Sequence, residues 1–102
     1  IVLDPPSFTR TRRAVPNALR GYKEIHLRAL KLLAPGGLLA TFCCSHHVPG
    51  PLFLDVIREA AADAGALLRR EAVYEASPDH PVLPALPETE YLKGFLFSVL
   101  PR

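Results

Sequence analysis

The sequence predicts an α/β fold in which helices pack on a largely parallel sheet. Short apolar runs at 1–3 and 38–42 are typical of fully buried strands. Segments with helical apolar spacing alternate with these runs, and Pro35-Gly36-Gly37 marks the turn between a helix and the second strand. Strands that alternate with helices indicate right-handed crossovers. At 102 residues, 49% of them hydrophobic, we expect a single domain.

The first strand, 1–4, ends at two prolines, and a basic loop spans 7–16. The first helix is predicted from Pro16 to Leu33, with Asn17 as its cap. Its apolar positions fit a helical stripe better than an alternation: Leu19, Tyr22, Ile25, Leu27, Ala29, Leu30 and Leu33.

The second half of the chain predicts a helix and two strands. The helix spans 51–64, and Pro51 suits its first turn. Strands are expected at 68–74 and 91–100, joined by the Pro-rich loop 77–90. Because no helical pattern separates these two strands, we expect them to pair as an antiparallel hairpin.

Composition narrows the classes of function. No apolar run approaches the ~18–20 residues that span a bilayer, and no signal-peptide pattern is present. The adjacent Cys43 and Cys44 cannot form an ordinary structural disulfide, which predicts a reducing compartment and hence the cytoplasm. Residues 10–31 hold seven Lys and Arg against the single acid Glu24. Such a stretch suits a polyanion such as RNA, or equally a solvated helix face.

Residues that could take part in catalysis follow two of the predicted strands. Asp4-Pro5-Pro6 follows the first strand, and Cys43-Cys44 follows the second. Ligands of open parallel sheets bind at the carboxyl ends of the strands, so the carboxylate and a thiol are expected to face one crevice. Side chains alternate along a strand, so only one of the two cysteines can face it. The alternatives are a simple Asp-Pro-Pro turn and two buried, apolar thiols.

A thiol and a carboxylate beside one flat ring would suit methylation of a pyrimidine at C5. A thiolate that adds to C6 makes C5 able to attack an electrophilic methyl group, for which S-adenosylmethionine is the expected donor. Asp4 could stabilise the charge that develops on the ring. The contiguous Cys-Cys-Ser-His-His order lacks the usual spacing of metal ligands, so no metal site is expected.

Six stretches of the chain match a known family: LDPPSF (3–8), ALRGYKEIHLRALKLLAPGGLLAT (18–41), CSHH (44–47), LFLDVIREAAADAG (52–65), DHPVL (79–83) and PETEYLKG (87–94). With them the chain resembles the C-terminal half of class I S-adenosylmethionine-dependent 23S rRNA (cytosine-C5) methyltransferases, the bacterial type with an N-terminal PUA domain. Asp-Pro-Pro and Pro-Gly-Gly are generic among methyltransferases, whereas the Cys-Ser-His-His and Pro-Glu-Thr-Glu-Tyr-Leu-Lys stretches are more particular.

The resemblance implies that residues 1–102 are the C-terminal half of a Rossmann-like catalytic domain, holding the last four strands with a C-terminal antiparallel hairpin and flanking helices. The main donor-binding loop and the N-terminal RNA-binding domain would lie upstream. We therefore expect the isolated 102 residues to be inactive and to bind the donor weakly.

The resemblance also implies site residues. Cys44 is the implied nucleophile and Cys43 the second candidate, while Asp4, Pro5 and Pro6 lie beside donor and target base. Further residues are implied to contact the 23S rRNA: Phe8, Arg10, Tyr22, Lys23, Ser45, His46, Asp79, His80, Glu88, Tyr91 and Lys93. Tyr22 is otherwise a core residue, and the loop that holds Asp79 to Tyr91 is otherwise a rigid connection.

Two other functions fit the same residues. Methylation of a guanine nitrogen uses Asp-Pro-Pro followed by an aromatic residue and needs no cysteine. A non-catalytic RNA-binding module would need only the basic surface. No membrane partner is expected, and the sequence does not predict the oligomeric state.

Overall fold

A computed structural model describes residues 1–5, 12–43, 47–74 and 93–101. The elements are β1 (Val2–Leu3), a 3-10 helix (Arg12–Ala14), α1 (Val15–Leu32), β2 (Leu38–Cys43), α2 (Gly50–Ala64), β3 (Leu67–Tyr74) and β4 (Lys93–Leu100). The predicted α/β class is confirmed, and every predicted helix and strand is present. Tyr91 and Leu92, which the sequence placed in the last strand, lie outside the described residues.

The described strands form one mixed sheet in the order β1-β2-β4-β3. β1 pairs with β2 in parallel, and β4 pairs antiparallel with both β2 and β3. The predicted antiparallel pairing of the last two strands is therefore correct. The insertion of β4 between β2 and β3 is a long-range pairing that local sequence patterns do not encode.

α1 begins two residues before its predicted cap. Ala14 occupies the N-cap position, makes no side-chain capping bond, and is followed by Pro16 in the first turn. Proline is tolerated there because the first-turn N–H groups have no partner within the helix. The prediction of Asn17 as the cap was therefore wrong, since Asn17 lies within the first turn. At the other end, the Leu33 N–H still donates to the Ala29 carbonyl over 3.2 Å.

Both helices pack on one face of the sheet, and aromatic rings form the centre of that layer. The Phe53 ring is fully buried and lies 5.7 Å from the Tyr22 ring, 5.5 Å from that of His26 and 6.0 Å from that of Phe95. The contacts with Tyr22 and His26 are edge-to-face, an arrangement that aromatic rings favour. Phe53 thus joins α2 to both α1 and β4.

The opposite face of the sheet carries no described helix. Val2, Leu38 and Leu67 expose 70%, 52% and 53% of their surface. The described helices therefore cover one face of the sheet only. No described helix is long and apolar enough to cross a membrane.

Replacement of Phe53 tests the aromatic centre of the core. We expect Phe53→Ala to lower the free energy of unfolding by about 3–5 kcal/mol, because it removes buried ring contacts and leaves a cavity. Leu32→Ala is the matched control, since Leu32 is 80% exposed and its loss should change stability by less than about 0.5 kcal/mol. Urea denaturation followed by circular dichroism measures both. Equal losses in the two variants would contradict the central role of Phe53.

Candidate active site at the carboxyl ends of the strands

The carboxyl ends of three strands lie at the same end of the sheet. β1, β2 and β3 run in the same direction, and β4, antiparallel to its neighbours, begins where they end. Cys43 is the register partner of Lys93, and Tyr74 that of Gly94. Asp4, Cys43 and Tyr74 therefore lie at the ends of three different strands on one side of the molecule.

Asp4 is exposed and directly follows β1. Leu3 is in register with Thr41, so Asp4 and Phe42 are the next positions along the two strands. The other acidic side chains of the described residues all have partners: Glu24 with Arg28, Asp55 with Arg58, Glu59 and Asp63 with Lys23, and Glu71 with Arg69. Asp4 has no ion pair or side-chain hydrogen bond with a described residue.

Cys43 is not at the crevice. Its side chain is 1% exposed and packs in the core with Val48, Phe53 and Phe95. Three alternate residues of β2, Leu39, Thr41 and Cys43, all point towards the helices. The structure thus corrects the second catalytic candidate: the Cys43 thiol behaves as a small apolar group. Cys44 lies outside the described residues and stays a prediction.

A buried polar link that the sequence reading missed holds β2 against α1. The His26 ring is fully buried, with Nδ1 2.6 Å from the Tyr22 carbonyl oxygen and Nε2 2.6 Å from Thr41 Oγ1. A carbonyl only accepts, so Nδ1 carries the proton and donates, and neutral Nε2 accepts from the Thr41 hydroxyl. Burial lowers the pKa of His26 below its usual 6.5, although the bond to Tyr22 opposes this. The one available signal was a histidine four residues after Tyr22 on the apolar stripe.

Two residues predicted to line an RNA path are placed elsewhere. Tyr22 has no exposed surface and belongs to the core, so its alternative role is the one observed. Lys23 Nζ lies 2.9 Å from Asp63 Oδ2 and 3.8 Å from Glu59 Oε2, which ties α1 to α2. The hydrogen bond and charge of Asp63 raise the pKa of Lys23. Both residues serve the packing of the helices instead of the strand-end crevice.

The remaining predicted site residues divide into two groups. Pro5 and Lys93 are half-buried and lie near the ends of the strands, and their roles stay predictions. The other positions lie outside the described residues and stay predictions: Pro6, Phe8, Arg10, Ser45, His46, Asp79, His80, Glu88 and Tyr91. The described part of the chain holds no group of three His, Cys, Asp or Glu side chains placed to bind a metal ion.

Comparison with solved structures identifies the fold. SMU.776, described as a methyltransferase complexed with SAH, superposes with a TM-score of 0.77 at 22% identity, over 97% of this chain and 25% of that one. A protein from Streptococcus mutans, described as a SAM-dependent methyltransferase, gives a TM-score of 0.75 at 20% identity over 97% and 24% of the two chains. The chain has part of a methyltransferase fold.

Sequence comparison finds similar proteins in several bacteria. Proteins called "Ribosomal RNA large subunit methyltransferase I" from Pseudoalteromonas atlantica, Serratia proteamaculans and Yersinia pestis are 45%, 43% and 42% identical over 100 residues. The match covers 98% of this chain and 25% of each relative. The chain thus spans about a quarter of the length of these proteins. A comparison with models of known protein families found no match.

The buried histidine gives stability a pH dependence of defined sign. Between its lowered folded pKa and 6.5, the unfolded chain binds a proton that the folded chain does not, so stability falls as the pH drops below about 6.5. The side chain of His26→Gln cannot titrate. We therefore expect its melting temperature to fall less between pH 7.5 and pH 5.5 than that of the wild-type protein. Scanning calorimetry measures both slopes, and equal slopes would contradict a neutral, buried His26.

Proposed function

We propose that the protein containing this chain methylates cytosine C5 in 23S ribosomal RNA, with S-adenosylmethionine as methyl donor. The observation that carries the proposal is the 45% identity, over almost the whole chain, to a large-subunit rRNA methyltransferase. The structural neighbours support the donor, since one is described as SAM-dependent and the other is complexed with SAH. The arrangement of the strand ends supports the choice of reacting groups.

Alternation along β2 supports Cys44 as the nucleophile. The Cys43 thiol is directed into the core. Adjacent strand residues project to opposite faces, and only one of the two cysteines was expected to face the crevice. Cys44 is thus the thiol proposed to meet the substrate.

The proposed reaction uses the thiol as a covalent catalyst. The Cys44 thiolate adds to cytosine C6, and the ring electrons move to C5. C5 would then attack the methyl carbon of the donor, and the bond between that methyl carbon and the donor sulfur would break. A base removes the C5 proton, and the electron pair released re-forms the C5–C6 double bond and expels the thiolate. The products are 5-methylcytosine and the demethylated donor.

Asp4 is proposed to hold the target base. Its exposed carboxylate can accept a hydrogen bond from the cytosine amino group, and the Pro5 carbonyl can accept a second. Held by these two bonds, the ring would present C6 to the thiol. The same unpaired carboxylate fits a position beside the cationic methyl donor, which supplies an electrophilic methyl group.

The other predicted contacts are proposed to complete the substrate site. Phe8 and Arg10, Ser45 and His46, and the loop residues Asp79, His80, Glu88 and Tyr91 would surround the RNA, with Lys93 at the start of β4. A segment of this kind can hold a base that has been turned out of its stack. We place the reaction in the cytoplasm, where ribosomal RNA is made in bacteria.

Replacement of each cysteine tests the proposed chemistry. We expect Cys44→Ala to lower methyl transfer to an unmodified 23S rRNA transcript by at least about 1,000-fold, because no covalent adduct can form. Cys43→Ala should keep methyl transfer and lose only about 1 kcal/mol of stability, as a core truncation. Labelled methyl incorporation measures activity, and RNA that contains 5-fluorocytidine traps the adduct as a stable protein–RNA species.

The outcomes separate the candidate functions. Adduct formation by Cys43→Ala and its absence in Cys44→Ala supports the proposal. Full activity in both variants would instead support methylation of a guanine nitrogen. A wild-type protein that binds the transcript but transfers no methyl group would support a non-catalytic RNA-binding role.

Neutralisation of Asp4 tests its role with the target base. We expect Asp4→Asn to lower kcat by about 100-fold, because an amide oxygen would hold the cytosine amino group less firmly than a carboxylate does. The melting temperature should be unchanged, because the exposed carboxylate has no described partner to lose. Asp55→Asn is the matched control: this exposed carboxylate on α2 pairs with Arg58 and was not predicted to contact the substrate. Similar kinetics in the two variants would contradict the role of Asp4.

A further inference from the structure

Two aromatic side chains form a row with a glycine beside the strand-end site. Phe42 at the end of β2 and Tyr74 at the end of β3 are both register partners of Gly94 on the intervening strand. Their rings are stacked across Gly94, with centroids 5.9 Å apart and an angle of 28° between the planes. We call Phe42, Gly94 and Tyr74 the aromatic row.

Glycine is required at the centre of the aromatic row. A Cβ atom built on Gly94 would lie 2.6 Å from Phe42 Cε1 and 3.3 Å from Tyr74 Cβ. Any side chain there would displace the Phe42 ring from the strand surface. A glycine inside a strand often marks such a close approach, and here it lets the two rings meet above the backbone of β4.

The aromatic row lies on the face of the sheet that carries no described helix. Register partners share a face, and Phe42 projects opposite to the buried Thr41 and Cys43. Tyr74 is 41% exposed and Phe42 is half-buried. Asp4 is next to Phe42 in register, so the aromatic row lies directly beside the proposed base-binding position. Three strand spacings of about 4.8 Å put Tyr74 about 14 Å from Asp4.

We propose that Phe42 and Tyr74 form a stacking platform for an unpaired base of the substrate RNA, next to the target cytosine. Proteins that read single-stranded RNA stack its bases on aromatic side chains, because every base offers a π-face. An aromatic pair beside the target position would hold the flanking nucleotide and set the direction in which the RNA strand crosses the site. The inference rests on the proposed function, which it deepens by assigning a second contact with the RNA.

The test separates ring stacking from simple packing. In the full-length protein, Tyr74→Leu keeps apolar surface over Gly94 but removes the ring. We expect it to raise the Kd for an unmodified 23S rRNA transcript, and the KM for methyl transfer to that transcript, roughly 5- to 100-fold. The kcat at saturating RNA should change much less. Tyr74→Phe retains the ring and should restore the Kd to within about threefold of the wild-type value.

Leu67→Ala is the matched control for loss of apolar surface. Leu67 lies at the opposite end of β3, is the register partner of Leu100 and is 53% exposed. It should leave Kd and KM unchanged. Melting temperatures of all variants report on folding, and filter binding reports on the RNA complex.

The results test the stacking platform separately from the proposed reaction. Wild-type Kd and KM in Tyr74→Leu would overturn the platform, and so would a Kd change in Leu67→Ala as large as that in Tyr74→Leu. If Tyr74→Leu binds as wild type while Cys44→Ala is inactive, only the platform fails. If Cys44→Ala stays fully active while Tyr74→Leu binds RNA weakly, the cysteine chemistry fails and the platform stands.

Discussion

The alternation of side chains along β2 is the constraint on which the site depends. Leu39, Thr41 and Cys43 point to the helices, so Leu38, Ala40 and Phe42 point to the other face. A slip of one residue would exchange the two sets and bury the wrong side chains, so the apolar layer of α1 and α2 fixes the register strongly. Pairing with β4 over 38–43 fixes it from the side as well. The identity of the buried thiol follows from this register alone.

Polar links then fix the helices over that strand. The His26–Thr41 bond joins α1 to β2 two residues before Cys43, and the Lys23–Asp63 ion pair joins α1 to α2. The first link lies in the core, where a polar side chain without a partner would cost about 1–3 kcal/mol. No buried side-chain N or O atom of the described residues lacks a hydrogen-bond partner. The helix layer is therefore tied to the strand by directional bonds in addition to apolar contact.

The sequence predicted the elements of this chain well because their signals are local. Apolar periodicity, Pro51 and Pro35-Gly36-Gly37 place both helices and β2 to within about two residues. What it missed depends on distant partners. β4 inserts between β2 and β3, Glu71 is the extra residue of an irregularity between Arg70 and Ala72, and the space above Gly94 is filled by Phe42. None of these pairings has a signal within one window of sequence.

The same distinction explains which site residues could be predicted. The strand-end position of Asp4 follows from an apolar run that stops at two prolines, which is a local pattern. The roles of Tyr22 and Lys23 depend on α2, more than 25 residues further along the chain, and so the sequence alone left them open.

Ion pairs account for most of the acidic groups of the described residues, which singles out the strand end that holds Asp4. Each acidic side chain on the described helices and on β3 has a basic partner, so its presence needs no ligand to explain it. Asp4 is the described acid to which that explanation does not apply. Beside it, the half-buried Phe42 and the exposed Tyr74 stack on each other across Gly94. The proposed base-binding site therefore combines a carboxylate that has no described partner with a stacked aromatic pair, the two kinds of group that can bind the edge and the face of a flat base.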